Sequence, residues 1–500
     1  MIQLPYGFSW GMLAPAPALL KAYLAGKGIE FRLHELNSDW CETSKTSSYP
    51  DELMKAVCSL NYDKFVSTVD PSFLQFLDQR AISIAADRPS LVALSVYFRS
   101  AWMPAIFLAK RLKELNPCVV IAGGAAFDQS VIQYVGSQTP RQSIDLYCTG
   151  EGENTLTQIA QIVDSKISSS DKTYIDDSNK RLSLITDLSK KVPGVGIPKT
   201  GLGMHLFNCS TDIVTDLDEF PYSDFSDYKY DINTTFPFTM ARSCSANCTF
   251  CSSRKTQDTF RVTSGRRVAE ELIFLNRKYG ASKFYFTSPL VNGDTKKLYE
   301  LCEVLIQEDC KFDLSGLLRL TKRMTADDIA YLCKAGFKWI KFGLESGSPK
   351  VRKSMAKLPD QAYSEMLMRT VSENGAIAAS NIMHSFPTET EEAFDETLEF
   401  LSRFKPHELD WNGWPFNLGF VGNGQLDQWF IKKFNIDIIE NRGLTPDIPT
   451  FALKIRWRNN LIDGNVCDDR QQRLTSFREE WLKTGQQAKS TVEEVSPENM

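Results

Sequence analysis

The chain contains no run of eighteen apolar residues, so an ordinary membrane-spanning helix is not expected. Histidine is scarce: His34, His205, His384 and His407 are the only four in 500 residues. There is also no second pair of closely spaced cysteines. Together these argue against a zinc site, which takes a fourth Cys or His at paired-knuckle spacing. Neither charge sign is in large excess. A formal net charge of −5 gives no reason to expect nucleic acid as the main partner. Twelve cysteines are too few for a disulfide scaffold at this length, so free thiols in a reducing compartment are expected. The N-terminus, MIQLPYGFSWGMLAPAPALL, lacks a basic leader, and its prolines interrupt the apolar stretch. It reads as a first strand and loop, not a signal peptide, which makes a cytoplasmic protein the expectation. No short internal repeat is visible.

Five hundred residues exceed one ordinary core, so two or three domains are expected. In residues 1–165, strand-like and helix-like patterns alternate. A helix over Ala16–Lys27 gives way to an extended run, Ile29–Leu36, and then to a polar, loop-rich stretch. The buried strands Ser90–Phe98 and Cys118–Gly124 flank an amphipathic helix, Ala101–Leu115, and IDLYCTGEGE opens a further helix, Thr155–Val163. Strands apolar throughout, separated by helices, predict a doubly wound, Rossmann-like α/β domain. Residues 166–232, rich in Ser, Asp, Lys and Pro, read as a linker with DLDEFPYSDFSDY as a docking strap. Over 233–410 the alternation resumes, with strand candidates FPFTMAR, KFYFTS, KFDLSGLLRL, KWIKFGLES and AIAASNIMHSF. Such units predict a partial (β/α)6 TIM-like barrel with its chemistry at the C-terminal strand ends. Residues 411–485, rich in Trp, Phe and Gly, read as a capping region that shapes a substrate pocket or packs on the barrel. Residues 486–500 read as a disordered tail.

Three cysteines are not scattered. In MARSCSANCTFCSSRK, Cys244, Cys248 and Cys251 share one loop after a strand. A loop this short can wrap three corners of an iron–sulfur cubane and leave the fourth iron open. The other nine read as small buried hydrophobes.

This CX3CXφC pattern, with Phe250 at φ, resembles the radical S-adenosylmethionine superfamily. The resemblance implies a [4Fe-4S] cluster on the three cysteines, S-adenosylmethionine chelated at the open iron, and Phe250 beside its adenine. It also implies an external electron donor of flavodoxin or ferredoxin type. KFGLESGSPKVRKSMAK is similar to the GxESGS segment of the superfamily's cobalamin-associated branch, which would place Glu345 and Ser346 toward the cosubstrate with Gly343 and Gly347 leaving room for it. Arg319 matches a polar third-strand position, and Ser288 with Thr287 stands where a Gly-Gly-Glu motif is common. IMHSFPTETEE resembles the fifth-strand GxPxET segment, with Ser385 in place of Gly.

The segments before the cysteines resemble the branch's cobalamin-binding domain. Ser95, Gly123, Gly124, Gly150, Glu151 and Gly152 would then line the cofactor. The DxHxxG motif is absent and His34 lacks its flanking residues, so no histidine is expected to ligate the cobalt. The resemblance implies C-methylation of an unactivated carbon in a natural-product, peptide or lipid substrate. Two alternatives stand beside it: a non-methylating radical rearrangement, cyclisation or oxidation, and a non-catalytic iron–sulfur protein. No catalytic acid or base can be named.

Overall fold

The computed structural model describes residues 1–5, 12–45, 50–57, 61–124, 143–168, 172–198, 204–206, 212–251, 259–416, 418, 428–441 and 455–493. The chain divides into two compact units that part between Thr234 and Thr235.

The first unit is built on seven strands: β1 (Ile2–Gln3), β2 (His34–Glu35), β3 (Leu91–Ser95), β4 (Val119–Gly123), β5 (Leu146–Cys148), β6 (Val195–Pro198) and β7 (Met204–Leu206). Their order is β2-β1-β3-β4-β5-β6-β7, parallel through β5 and antiparallel beyond. β4 shows why this sheet needs covering on both faces. Val120 and Ala122 enter a core with Trp40, Phe65, Phe73 and Trp102, while Val119 and Ile121 enter a second core with Leu24, Ile159, Leu184 and Leu188. The helices that supply these cores are α1 (Pro15–Gly26), α2 (Leu36–Ser44), α3 (Asp51–Val57), α4 (Tyr62–Thr68), α5 (Pro71–Ala86), α6 (Trp102–Leu115), α7 (Gly152–Ser168) and α8 (Ser178–Lys191).

Three expectations for this unit are corrected. The stretch expected to be loop-rich holds α2 to α5, because its polar residues hide a helical repeat. In α5, Phe73, Phe76, Leu77, Ala81 and Ile84 share one buried face, and Asp70 caps the start by accepting from the Ser72 amide. The extended run Ile29–Leu36 is a strand only over His34–Glu35. The expected linker carries α8, capped by Asp177, and the edge strands β6 and β7. In its later part Val214, Leu217 and Phe220 pack on Tyr23, and Lys21 of α1 pairs with Asp227 at 2.6 Å.

The second unit holds β8 (Thr235–Phe238), β9 (Ala241–Arg242), β10 (Arg261–Val262), β11 (Lys283–Phe286), β12 (Asp313–Leu318), β13 (Phe337–Glu345), β14 (Ile377–His384) and β15 (Leu409–Pro415). Six of these form one parallel sheet in the order β15-β14-β13-β12-β11-β8. Between them lie α9 (Gly265–Tyr279), α10 (Thr295–Gln307), α11 (Ala326–Lys334), α12 (Pro349–Ser354), α13 (Gln361–Glu373) and α14 (Glu391–Ser402). Local chemistry sets their limits. Ser264 caps α9 and Gly280, at φ +70°, ends it; Thr325 and Asp328 form a capping box on α11.

The sixth strand begins at Leu409, and the aromatic segment after it packs on the barrel: Phe416 lies 5.3 Å from Phe386 and 5.7 Å from Trp457. After α15 (Gln428–Lys433), a hairpin of β16 (Asp437–Asn441) and β17 (Ile455–Arg458) leads to α16 (Gly464–Glu493). That helix runs through residues 486–493, which the sequence reading places in a disordered tail; 494–500 lie outside the described residues. No helix among the described residues is long and apolar enough to cross a membrane.

Candidate functional site

Parallel strands bring their C-terminal ends to one rim, and in the second unit the cysteine loop lies there. It leaves β9 at Arg242, and β9 pairs antiparallel with β10, so the loop is tied at both ends. Residues 252–258 lie outside the described ones. Two bonds fasten the middle of the loop to the end of α12: the Thr249 amide donates to the Met355 carbonyl at 3.2 Å, and its hydroxyl donates to the Ser354 carbonyl at 3.1 Å. The Cys251 amide donates to the Cys248 carbonyl at 3.3 Å, and the Ala246 amide donates to Cys244 Sγ at 3.4 Å. Burial raises the Cys244 thiol above its ordinary range, and the neighbouring Cys248 and Cys251 raise it further. Among the described residues, no three His, Cys, Asp or Glu side chains converge tightly enough for a single metal ion. Three cysteines on one short loop fit a cluster that takes one thiolate at each of three irons.

Two cations border the cysteines. Arg319, just past β12, directs Nη1 at Cys248 Sγ from 3.6 Å, and its Nη2 donates to the Ala356 carbonyl at 2.5 Å. Asn292 fixes the Arg319 backbone from both sides: its Oδ1 accepts from the Arg319 amide at 2.8 Å and its Nδ2 donates to the Arg319 carbonyl at 2.9 Å. The second cation is Lys357, whose Nζ is 3.1 Å from Glu345 Oε1 and 5.5 Å from the centre of the Phe250 ring. Burial works against the Lys357 charge, yet Glu345 and Cys248 together hold its pKa above the ordinary lysine range.

Nothing in the sequence singles out Lys357 within KFGLESGSPKVRKSMAK. The lysine lies twelve residues beyond Glu345, on the far side of α12, and only the folded chain joins them. Charge at that spacing was the one available signal, and it is ambiguous in a segment that also holds Lys350, Arg352 and Lys353.

The other expected residues divide. Phe250 packs beside Phe386, 6.5 Å away, in an apolar cluster with Val351 and Met355. Glu345 reaches the rim in a left-handed conformation, φ +71°, after a register shift between β13 and β14. Gly343 makes room for the ion pair, because a Cβ there would stand 2.7 Å from Lys357 Nζ. Gly347 serves packing: a Cβ would meet the α14 backbone at Thr397 Cα, 2.6 Å away. Ser346 is not brought to the rim. Its hydroxyl pairs with Thr397 Oγ1 at 3.1 Å and accepts from the Ser348 amide. Ser288 is buried and accepts from the Ala241 amide at 2.8 Å, and Thr287 pairs with Thr239, so both brace the start of the loop.

In the first unit the expected residues gather at one sheet edge. The register aligns Gln3 with Ser95, Ser95 with Gly123, and Gly123 with Cys148, which puts the ends of β1, β3, β4 and β5 side by side. Gly150, Glu151 and Gly152 follow β5 into α7. The order β2-β1-β3-β4-β5 places the topological switch between β1 and β3, where open α/β sheets take their ligands. Gln3 lies at that point, fully buried, and its Oε1 has no partner. An orphaned acceptor there fits a bulky polar ligand. Gly124, at φ +129°, meets its own chain: a Cβ would stand 2.5 Å from the Val96 carbonyl oxygen. His34 sits on β2 opposite Ile2, and burial lowers its pKa. The described part of IAGGAAF ends at Gly124.

Comparison with known proteins gives the following. Residues 238–401 match the Radical SAM superfamily. The anaerobic magnesium-protoporphyrin IX monomethyl ester cyclase of Rubrivivax gelatinosus is 22% identical over 72% of this chain, and an uncharacterized methyltransferase of Pyrococcus horikoshii is 25% identical over 63%. The chain spans 63% and 64% of the lengths of these two relatives. Among solved structures, the radical S-adenosylmethionine methyltransferase TsrM of Kitasatospora setae, with tryptophan substrate and a cosubstrate analogue bound, has a TM-score of 0.61 at 13% identity. That match covers 85% of this chain and 74% of TsrM. The cobalamin-dependent S-adenosylmethionine radical enzyme OxsB has a TM-score of 0.54 at 15% identity, covering 96% of this chain and 61% of its own. At such identities the two structures establish the fold.

Proposed function

From a chain whose residues 238–401 form a radical SAM domain, we propose a radical S-adenosylmethionine enzyme that uses cobalamin to methylate an unactivated carbon. The observation that carries this reading is the meeting, at one rim of a parallel barrel, of three thiols on one loop with Arg319, Lys357, Glu345 and Phe250. When bound, the [4Fe-4S] cluster and S-adenosylmethionine supply a hydrogen-abstracting radical, and methylcobalamin supplies the methyl group.

The chain's own residues hold and orient these groups. Cys244, Cys248 and Cys251 ligate the cluster. Lys357 would offer a buried cation to the cosubstrate carboxylate, Glu345 would accept hydrogen bonds from the cosubstrate amino group, and Phe250 would lie beside the adenine. The apolar residues around Phe250 keep water from the reacting atoms. In the first unit, Ser95, Gly123, Gly124, Gly150, Glu151 and Gly152 at the C-terminal strand ends would hold the corrin, with Gln3 Oε1 as a further acceptor. The substrate is a small molecule or peptide, and a flavodoxin- or ferredoxin-type protein delivers the electron.

The similarity to a cyclase over 72% of the chain supports a second reading, a radical ring closure or oxidation without methyl transfer. One experiment separates the readings. Anaerobically reconstituted protein with reductant and S-adenosylmethionine is assayed for 5′-deoxyadenosine and S-adenosylhomocysteine together. Both products support methylation, 5′-deoxyadenosine alone supports the second reading, and neither product overturns both. Cys248→Ala is expected to abolish all turnover.

A further inference from the structure

We infer that Arg319 and Lys357 tune the reduction potential of the cluster through Cys248, with Glu345 opposing them; the inference rests on the cluster-bearing function proposed above. Reduction adds one electron, taken from an external low-potential donor, to a cluster already surrounded by thiolates. No bond forms or breaks in that step. A fixed positive charge beside a ligating sulfur favours the reduced form and raises the potential, as does a hydrogen bond to the sulfur.

Among the described residues, Cys248 receives a side-chain hydrogen bond, from Arg319 Nη1 at 3.6 Å, whereas the bond at Cys244 comes from the Ala246 backbone. The guanidinium is not free to wander. The Ala356 carbonyl holds Nη2, and Asn292 holds the Arg319 backbone at both its amide and its carbonyl. Arg319 therefore acts on Cys248 with a fixed geometry, and among the described residues no carboxylate pairs with it.

Lys357 differs. Its Nζ stands 5.5 Å from the ring of Phe250, two residues along the loop from Cys248, but Glu345 sits 3.1 Å away and cancels much of its charge. Two cations and one carboxylate at this rim thus sum to a single positive charge, and each has a definite sign of effect. A side chain that merely supported the loop would give no such pattern.

The test uses the full chain, reconstituted anaerobically without S-adenosylmethionine, and follows the reduced cluster by electron paramagnetic resonance during a redox titration. Arg319→Met is expected to lower the potential until the reduced-to-oxidised ratio at fixed potential falls about tenfold, which is about 59 mV for one electron. Lys357→Met should lower it less, Glu345→Gln should raise it, and Arg319→Lys should lie between wild type and Arg319→Met. Full iron and sulfide content with an unchanged potential in Arg319→Met overturns the inference. If Arg319→Met loads no cluster, Glu345→Gln decides, and an unchanged or lower potential there is fatal. A wild-type chain that takes up no four-iron cluster instead removes the function on which the inference rests.

Discussion

Lys357→Met is the most informative single perturbation of the barrel, because its cost can be worked out without any cofactor. The Lys357 and Glu345 side chains are each only 10% exposed, and their ion pair fills the space left by the missing Cβ of Gly343. Methionine keeps most of the apolar stem, so packing is largely preserved. What is lost is the partner of a buried carboxylate. Breaking one side of a buried pair typically costs about 3–5 kcal/mol, because the remaining charge stays desolvated. Against a domain stability on the order of 5–15 kcal/mol, that loss should be plain in urea unfolding of the apo chain under thiol reductant. The double variant Lys357→Met with Glu345→Gln leaves no buried charge, and it should recover at least half of the loss despite carrying two substitutions. The two costs must therefore couple. A single-variant cost below about 1 kcal/mol, or a double variant as unstable as the sum of the singles, refutes the claim that this pair is buried and interdependent.

Three further outcomes follow from particular contacts. Gly347→Ala places a methyl 2.6 Å from Thr397 Cα and 2.9 Å from the Glu396 carbonyl oxygen, so α14 must shift, at a cost of about 1–3 kcal/mol in thermal unfolding. Phe73→Ala empties a fully buried position 4.7 Å from the Trp40 ring and should cost about 3–5 kcal/mol; a change under 1 kcal/mol would mean that α5 has no real core. Burial lifts the Glu389 carboxyl to about 7, outweighing the opposing pull of Arg470 at 3.1 Å and the Ser385 amide. The folded chain thus keeps a proton that the unfolded chain releases near 4.5. The resulting stability is complete below about pH 4.5 and is lost as the pH rises through 7, by about 3 kcal/mol in all. Glu389→Gln should flatten that decline in urea midpoints measured from pH 5 to 8, and equal slopes would sink the assignment.

What could be read from sequence was local. Cys244, Cys248 and Cys251 lie within eight residues, so their meeting needs only a tight loop. The apolar runs of β3 and β4 announce a sheet covered on both faces, and Thr325 with Asp328 announces a helix start. Features that depend on partners distant in the chain were hidden. Lys357 joins Glu345 only because α12 turns the chain back. The GxESGS resemblance places Ser346 toward the cosubstrate, yet the chain leaves β13 at the left-handed Glu345 and the Ser346 hydroxyl turns to Thr397 on α14. The α2–α5 segment is obscure in sequence for a different reason. Its apolar residues follow a helical period, while its average composition is polar, so composition outweighed periodicity.

The backbone around the cysteine loop indicates how this rim is kept ready. Eight described non-glycine residues have positive φ, and four belong to this site: Ser243 (+64°), Glu345 (+71°), Ala356 (+58°) and Ser385 (+58°). Each left-handed L-residue costs about 1–2 kcal/mol, so the rim carries several kcal/mol of strain. Every one of the four is tied to a functional contact. Ser243 directs the chain into Cys244. Ala356 turns so that its carbonyl meets Arg319, and the turn delivers Lys357. Glu345 bends after the β13 register shift to face that lysine. Ser385, where the resembling family usually has glycine, is held by a bond from its amide to Glu389 and by His384 Nδ1 at 3.0 Å, and it sets the position of Phe386 against Phe250. Strain of this size persists only where surrounding bonds overdetermine it. The buried contact of Glu389 with Arg470 of α16, 81 residues further along the chain, therefore helps set the geometry beside Phe250.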